Sequence, residues 1–504
     1  MPTFYILIAT TNASNAGRAW SRKLFPKTGK LLIALLVILL CGPFAFGQNQ
    51  DFIPLSLHGP KSVDLMSQID RHLSAEGLTG RAAKDPWIEH VRLRQATLLK
   101  RMVRARAFVN NDTVQRYVEQ YFERLASHNK MGSKSRLVLI MNSPESNAAC
   151  YGSGVFIVTT GLLANMPDEA SLAFILAHEM AHDELLHVQQ SLRALSRERE
   201  ARNPAATFAR ILLTDVNEEY IDAFRTTIYA SAAMSREHEM QADSLALSLI
   251  QHAGYAPVAA GRALSTLASL RQSEPSNLFA AFQFNDFPFK EHWLDERLKI
   301  YYRKPTSTFL WSFDSLRSHP QMDQRIKMLE GYEANSDRLP CDAAISANTT
   351  DSTMRANISS LMTFQSIEAA YQSSQYDIAL YNLLLQLKTH PGHPYLVMRT
   401  TRILVDMFHA KNEGDASMLS QFTSNLNNSE RLVNNLLFNL SKEEVAELSY
   451  HFINNRGNFD VKNPAHYYLL WETCDLTSRD QVKAKVAAAY SKKFGEDIRT
   501  FKPD

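Results

Sequence analysis

The sequence predicts a mainly helical α+β chain, with a small antiparallel sheet set among helices in the front part and an all-helical back part. Three observations carry that reading. Apolar residues recur at helical spacing through much of the 504 residues. Two short runs, Arg136 to Asn142 and Val155 to Thr159, are rich in branched apolar residues, are bounded by Gly, Ser, Pro and Asn, and read as paired strands. Between Tyr332 and Asn357 the composition shifts to Ser, Thr, Asn, Asp and Ala, which reads as a linker. The expected divisions are residues 1–47, 48–335, 336–360 and 361–504. A composition of 45% apolar and 21% charged residues suits two or three globular domains. The 54 basic and 52 acidic residues nearly cancel to +2 with no long basic run, so nothing favours nucleic acid as a partner.

The first 47 residues differ in kind. Arg18, Arg22, Lys23, Lys27 and Lys30 precede the apolar run Leu31 to Leu40, and Ala45 and Gly47 give a small-x-small cleavage site before Gln48. This predicts an exported protein, periplasmic or extracellular. Leu31 to Phe46 could also stay as an anchor, which would make the protein membrane-associated, although the run is short of the about 20 residues of a span. Lipidation at Cys41 is disfavoured by the bulky Leu40. After cleavage Cys150, Cys341 and Cys474 remain, which is no disulfide framework. Cys341 and Cys474 could pair; Cys150 reads as a small apolar residue near the site.

From Gln48 to Lys130 the pattern is helical. Val91 to Phe108 forms one segment, and Asn111 and Asp112 cap another whose Val114, Tyr117, Val118, Tyr121, Phe122 and Leu125 share a face. Past the two strands, the mostly apolar run Ala170 to Ala177, free of Gly and Pro, leads as a buried helix into Leu176-Ala-His-Glu-Met-Ala-His182. His178 and His182 are four apart and so lie on one helical face, where each can give a ring nitrogen to one Zn²⁺. Glu179 can take a proton from a water on that ion. A tetrahedral zinc needs a third protein ligand and one open position. Glu239, in a helical run that stops near Gly254, can be that ligand, and Asp243 one turn later can accept the other ring N–H of a ligand histidine. Gln189 to Asn217, charged and then mixed, reads as a lid or an extra helical pair, and Pro257 to Leu270 as a helix. Gln283 to Trp293 clusters aromatics around His292, a packing residue or one that visits the open metal position.

Four ordered segments then resemble the gluzincin peptidases that include HtpX and the CAAX prenyl protease. They are Asn147 to Leu163 (Asn-Ala-Ala-Cys-Tyr-Gly-Ser-Gly and onward), His178-Glu-Met-Ala-His182, Glu239-Met-Gln-Ala-Asp243, and His319-Pro-Gln-Met-Asp-Gln-Arg325. The resemblance implies a gluzincin-type metalloprotease domain with one zinc per chain and protein or peptide substrates. It also implies a substrate groove at Asn147 and Ala148, and His319 and Arg325 close to the cleft. Which of His319, Arg325 or Asn147 stabilises the oxyanion stays open, and taken by itself Arg325 reads as a surface ion pair. In the back part, Ala369 to Leu380 followed by Pro391 resembles one tetratricopeptide unit, with Tyr376 and Ala379 in its second helix. A tetratricopeptide-like tail implies a protein partner held there; otherwise the tail is plain packing. The expectation is a secreted zinc endopeptidase, with envelope protein quality control as the family-level role. The rival is a non-catalytic binding protein with a structural zinc, against which an intact Glu179 speaks.

Overall fold

The structure, a computed structural model, describes residues 52–55, 60–74, 86–131, 135–202, 236–270, 278–282, 287–296, 325–329, 352–415, 417–420 and 426–502. The expected signal segment with Cys41, residues 203–217 of the expected lid or helical pair, His319, Cys341 and the linker up to residue 351 lie outside them. The stretch Gly47–Asp504 forms one compact unit.

Helices α1 (Pro60–Leu73) and α2 (Pro86–Arg104) pack on each other ahead of α3 (Asp112–His128). Asn111 starts α3 by accepting the N–H groups of Thr113 and Val114 at 3.0 Å, donors that a first helical turn leaves over. The stripe from Val114 to Leu125 expected on one face is buried.

Strands β1 (Leu137–Met141), β2 (Ala148–Gly152) and β3 (Val155–Thr159) form a sheet in the order β1-β3-β2. The two predicted strands do pair, but in parallel, Leu137 opposite Val155 through Met141 opposite Thr159. Only β2, which the sequence reading did not identify as a strand, runs antiparallel to β3. The chain returns along β2 before turning into β3, so β3 runs in the direction of β1. Every residue of β1 and β3 is buried. Val138, Ile140, Phe156 and Val158 face the core shared with α3, while Leu137, Leu139, Met141, Val155 and Ile157 face that of α1 and α2. The β2–β3 turn takes Gly152, Ser153 and Gly154 through φ of 77°, 54° and 73°. A Cβ on Gly154 would stand 2.5 Å from the Ser135 carbonyl oxygen, so glycine is required there.

The chain continues through α4 (Thr160–Asn165), α5 (Glu169–Glu184), α6 (His187–Arg202), α7 (Arg236–His252) and α8 (Ala259–Ser269). Asp168 caps α5, its carboxylate 2.7 Å from the Ser171 N–H. Ser171 to His182 are all buried, so α5 is the central rod, with α3, α7, α8 and β2 around it. α7 closes as Gly254 predicts, with φ of 82° there and the Tyr255 N–H on the Ile250 carbonyl at 2.9 Å.

The tail comprises α9 (Ser352–Gln372), α10 (Tyr376–Thr389), α11 (Pro394–Glu413), α12 (Asn428–Asn439), α13 (Lys442–Ile453), α14 (Pro464–Leu476) and α15 (Asp480–Phe494). Capping boxes start α12 (Asn427 with Glu430) and α13 (Ser441 with Glu444). The expected linker 336–360 overlaps α9 from residue 352 on. Ile358 and Met362 of α9 sit in the core of the sheet and α5, whereas its Phe364, Ile367 and Ala370 sit in the tail core. The two 3-10 turns Leu278–Phe282 and Glu291–Leu294 also bury Leu278, Phe282 and Trp293 in the tail core. Among the described residues, no helix is long and apolar enough to cross a membrane.

Candidate metal centre

A helix apolar on all sides can place a polar group only where something compensates it. In α5 the buried ionisable side chains are His178, Glu179 and His182, all in its last turns. The small residues Ala242 and Ala246 of α7 are fully buried as α7 packs against α5, and this brings Glu239 and Asp243, also buried, to the two histidines.

The His178 and His182 Nε2 atoms are 3.0 Å apart. One Glu239 oxygen lies 3.5 Å from the first and the other 3.5 Å from the second. Zinc bonds of about 2.0–2.2 Å in a tetrahedron separate ligand atoms by about 3.3–3.6 Å, close to this triangle. Two imidazole nitrogens and one carboxylate also form a donor set suited to zinc with one position left open. Among the described residues this is the group of three able to hold a metal ion.

Asp243 accepts from His178 Nδ1 at 2.8 Å, which fixes the proton on Nδ1 and leaves the Nε2 lone pair for the site. Arg325 grips Asp243 with both arms, Nε at 2.7 Å and Nη2 at 2.6 Å, and sets Nη1 3.3 Å from Glu239. Burial by itself raises the Asp243 pKa, but the Arg325 hydrogen bonds and the His178 ring outweigh it and bring it to about 2. For His178, burial disfavours the charge, whereas Asp243 and then Glu239 favour it, and the net direction is upward. A proton therefore competes with a cation for this site.

His182 has its own partner, which the sequence reading missed. Its Nδ1 is 2.9 Å from Nδ1 of His187, whose Nε2 is 3.1 Å from Gln241 Oε1. Burial lowers the His187 pKa. The only sequence signal was a third histidine nine residues after His178.

Beside α5, the edge strand β2 begins at Ala148, directly after Asn147. Asn147 is half-buried, its N–H on Thr159 Oγ1 at 3.0 Å and its carbonyl accepting the Thr159 N–H at 3.0 Å; Ala148 is buried opposite Val158. Asp183, next to His182, accepts the Gly154 N–H at 3.1 Å, and the buried Arg92 reaches Ser153 Oγ at 2.5 Å. The β2–β3 turn is thus tied to the metal-bearing helix. Burial, Asp183 and Glu179 push the Cys150 thiol well up, which keeps it neutral. Arg325 is buried and fully engaged with carboxylates, unlike the surface pair its sequence suggested. His292 is exposed, its carbonyl 3.4 Å from Asn439 Nδ2 of the tail, and does not belong to the metal cluster.

Residues 112–333 match the profile of Peptidase family M48. Over 120 residues, 24% of this chain and 23% of the relative, the chain is 28% identical to the mitochondrial metalloendopeptidase OMA1 of Arabidopsis thaliana. It is 24% identical over 160 residues to the beta-barrel assembly-enhancing protease of Escherichia coli O157:H7, covering 30% of this chain and 32% of that one. A putative beta-barrel assembly-enhancing protease of Vibrio cholerae is 27% identical over 161 residues, covering 31% and 33%. The aligned stretches thus span about a quarter to a third of these curated relatives.

Proposed function

We propose that this chain, whose residues 112–333 belong to peptidase family M48, is a zinc-dependent endopeptidase that hydrolyses peptide bonds in proteins. The observation that carries the reading is the buried triangle of His178, His182 and Glu239, with Glu179 directly after the first of them. Zinc, when bound, acidifies a water and polarises a carbonyl oxygen. Glu179 accepts the proton of the attacking water and delivers it to the leaving amine. Asp243 keeps His178 in the ligating tautomer, and Arg325 keeps Asp243 ionised and in place. β2, directly after Asn147 and beginning at Ala148, is an edge strand of the sheet among the described residues, and an edge strand can take an extended peptide by main-chain hydrogen bonds, a mode that accepts many sequences. With Arg325 engaged by Asp243 and Glu239, the oxyanion donor is to be sought in Asn147 or His319.

The finer reading is export to a cell envelope, peripheral contact with its membrane, and removal of faulty envelope proteins. It is supported by the signal-like residues 1–47 and by two relatives named for beta-barrel assembly. The tail, read as tetratricopeptide-like, would hold the protein to be cut. The direct test is zinc content of the purified chain together with casein hydrolysis, with and without chelator. One zinc per chain and chelator-sensitive hydrolysis are expected. Tight zinc without any hydrolysis would instead make this a binding protein with a structural ion.

A further inference from the structure

We propose that Glu237, Gln241 and His187 form a proton-ordering relay that fixes the tautomer of His182 from the protein surface, making His187 and Gln241 positioning residues of the metal site. The inference rests on His178, His182 and Glu239 being that site. It follows from the hydrogen-bond geometry together with the bare Nε2 that a ligand histidine requires. An ionised carboxylate can only accept, so the Gln241 group 3.2 Å from Glu237 Oε1 is its NH₂, and its carbonyl oxygen is turned to His187. That oxygen, at 3.1 Å, can only accept, so His187 Nε2 carries a proton; a neutral imidazole has one ring N–H, and in that form Nδ1 carries a lone pair. The lone pair faces His182 Nδ1 at 2.9 Å, and two lone pairs cannot face each other, so His182 is protonated on Nδ1. Its Nε2 is then left bare toward His178 and Glu239, as a metal ligand requires. The His238 ring, stacked on His187 at 4.2 Å and 15°, holds the plane in which these bonds line up.

Both ligand histidines are therefore set by carboxylates of α7. Asp243 acts on His178 directly, and Glu237 acts on His182 through two intermediaries. The same helix supplies Glu239.

The position of Gln241 permits a test by sign, since both it and Glu237 are exposed and can be changed without disturbing the core. Gln241→Glu keeps an acceptor facing His187. Gln241→Lys offers only donors, which would push the His187 proton to Nδ1 and the His182 proton onto the ligating nitrogen. Ser244→Lys adds the same charge on an exposed position of α7 that does not meet His187. Zinc affinity by chelator competition, and the visible absorption of the cobalt-substituted protein, would be measured for the full chain and each variant. The expected result is wild-type affinity within about threefold for Gln241→Glu and Ser244→Lys. Gln241→Lys should lose about 10–100-fold and show a changed cobalt spectrum. His187→Phe should match Gln241→Lys; should it fail to fold, the Gln241 series decides alone. Equal weakening by Gln241→Lys and Ser244→Lys with unaltered spectra would overturn the relay. A wild-type chain that binds no zinc would instead overturn the metal reading itself.

Discussion

The neighbours of Asp243 keep it an ionised acceptor, whereas the proton-moving role proposed for Glu179 is open to direct test. Asp243 lies under the Arg325 fork and is held at about 2, so it remains an acceptor at any ordinary pH. For Glu179 we expect Glu179→Gln to retain zinc and fold and to lose at least about 100-fold in turnover, the usual worth of a positioned base. Activity within tenfold of wild type would remove Glu179 from the chemistry. Arg325→Met should leave Asp243 and Glu239 buried without the guanidinium and cost the metal-free protein about 3–5 kcal/mol, read by urea denaturation. An unchanged midpoint would show that the fork is dispensable. His178, Glu179, His182, Glu239 and Asp243 were legible because each set lies within one helix, where spacing fixes the face. His187 was not. The chain breaks helical geometry at Leu186, φ 56°, so no spacing rule connects His187 to His182, and Gln241 reaches it only across the packing of α7.

At the scale of elements, the stripe of α3 and its Asn111 cap could be read directly, since both are local. β2 could not. Ala148, Ala149, Cys150 and Gly152 have little strand preference, and the segment is extended because β3 and α5 hold it on two sides. Likewise the polar start of α9 looked like linker, yet Ile358 and Met362 have a core to enter. One element invites a pH measurement. Lys411 near the end of α11 donates to the Phe438 carbonyl at 2.9 Å, and burial, partly offset by Glu444, lowers its pKa from 10.5 to about 8. Between those values the unfolded chain holds more protons than the folded one, so stability should rise as pH goes from 8 to 10.5 and be flat below. Allowing for partial exposure the rise is on the order of 1–2 kcal/mol. It should vanish in Lys411→Met, and parallel pH profiles for the two proteins would contradict the assignment.

For the molecule as a whole, α9 decides how far the peptidase part and the tail are separate. Its polar face is clamped to the sheet side: Gln365 bonds the Leu55 N–H and Asn142 at 2.8 Å each, and Ser366 bonds Thr160 at 3.0 Å. Further along, Ser359 bonds the Ala164 carbonyl at 2.8 Å and Arg355 the Met166 carbonyl at 2.7 Å. A chain ending at Glu330 would uncover the partners of Ile358 and Met362, so it should melt well below the full protein and hydrolyse short peptides and folded substrates equally poorly. Retained melting temperature with peptide hydrolysis intact would show two independent domains. If α9 does join both cores, occupancy of the tail is felt thermodynamically everywhere. A partner present at a hundred times its Kd adds about 2.7 kcal/mol to the unfolding of the entire unit. Amides in α5 that exchange only by global opening would then slow about a hundredfold, as much as those of α11, although nothing new touches them.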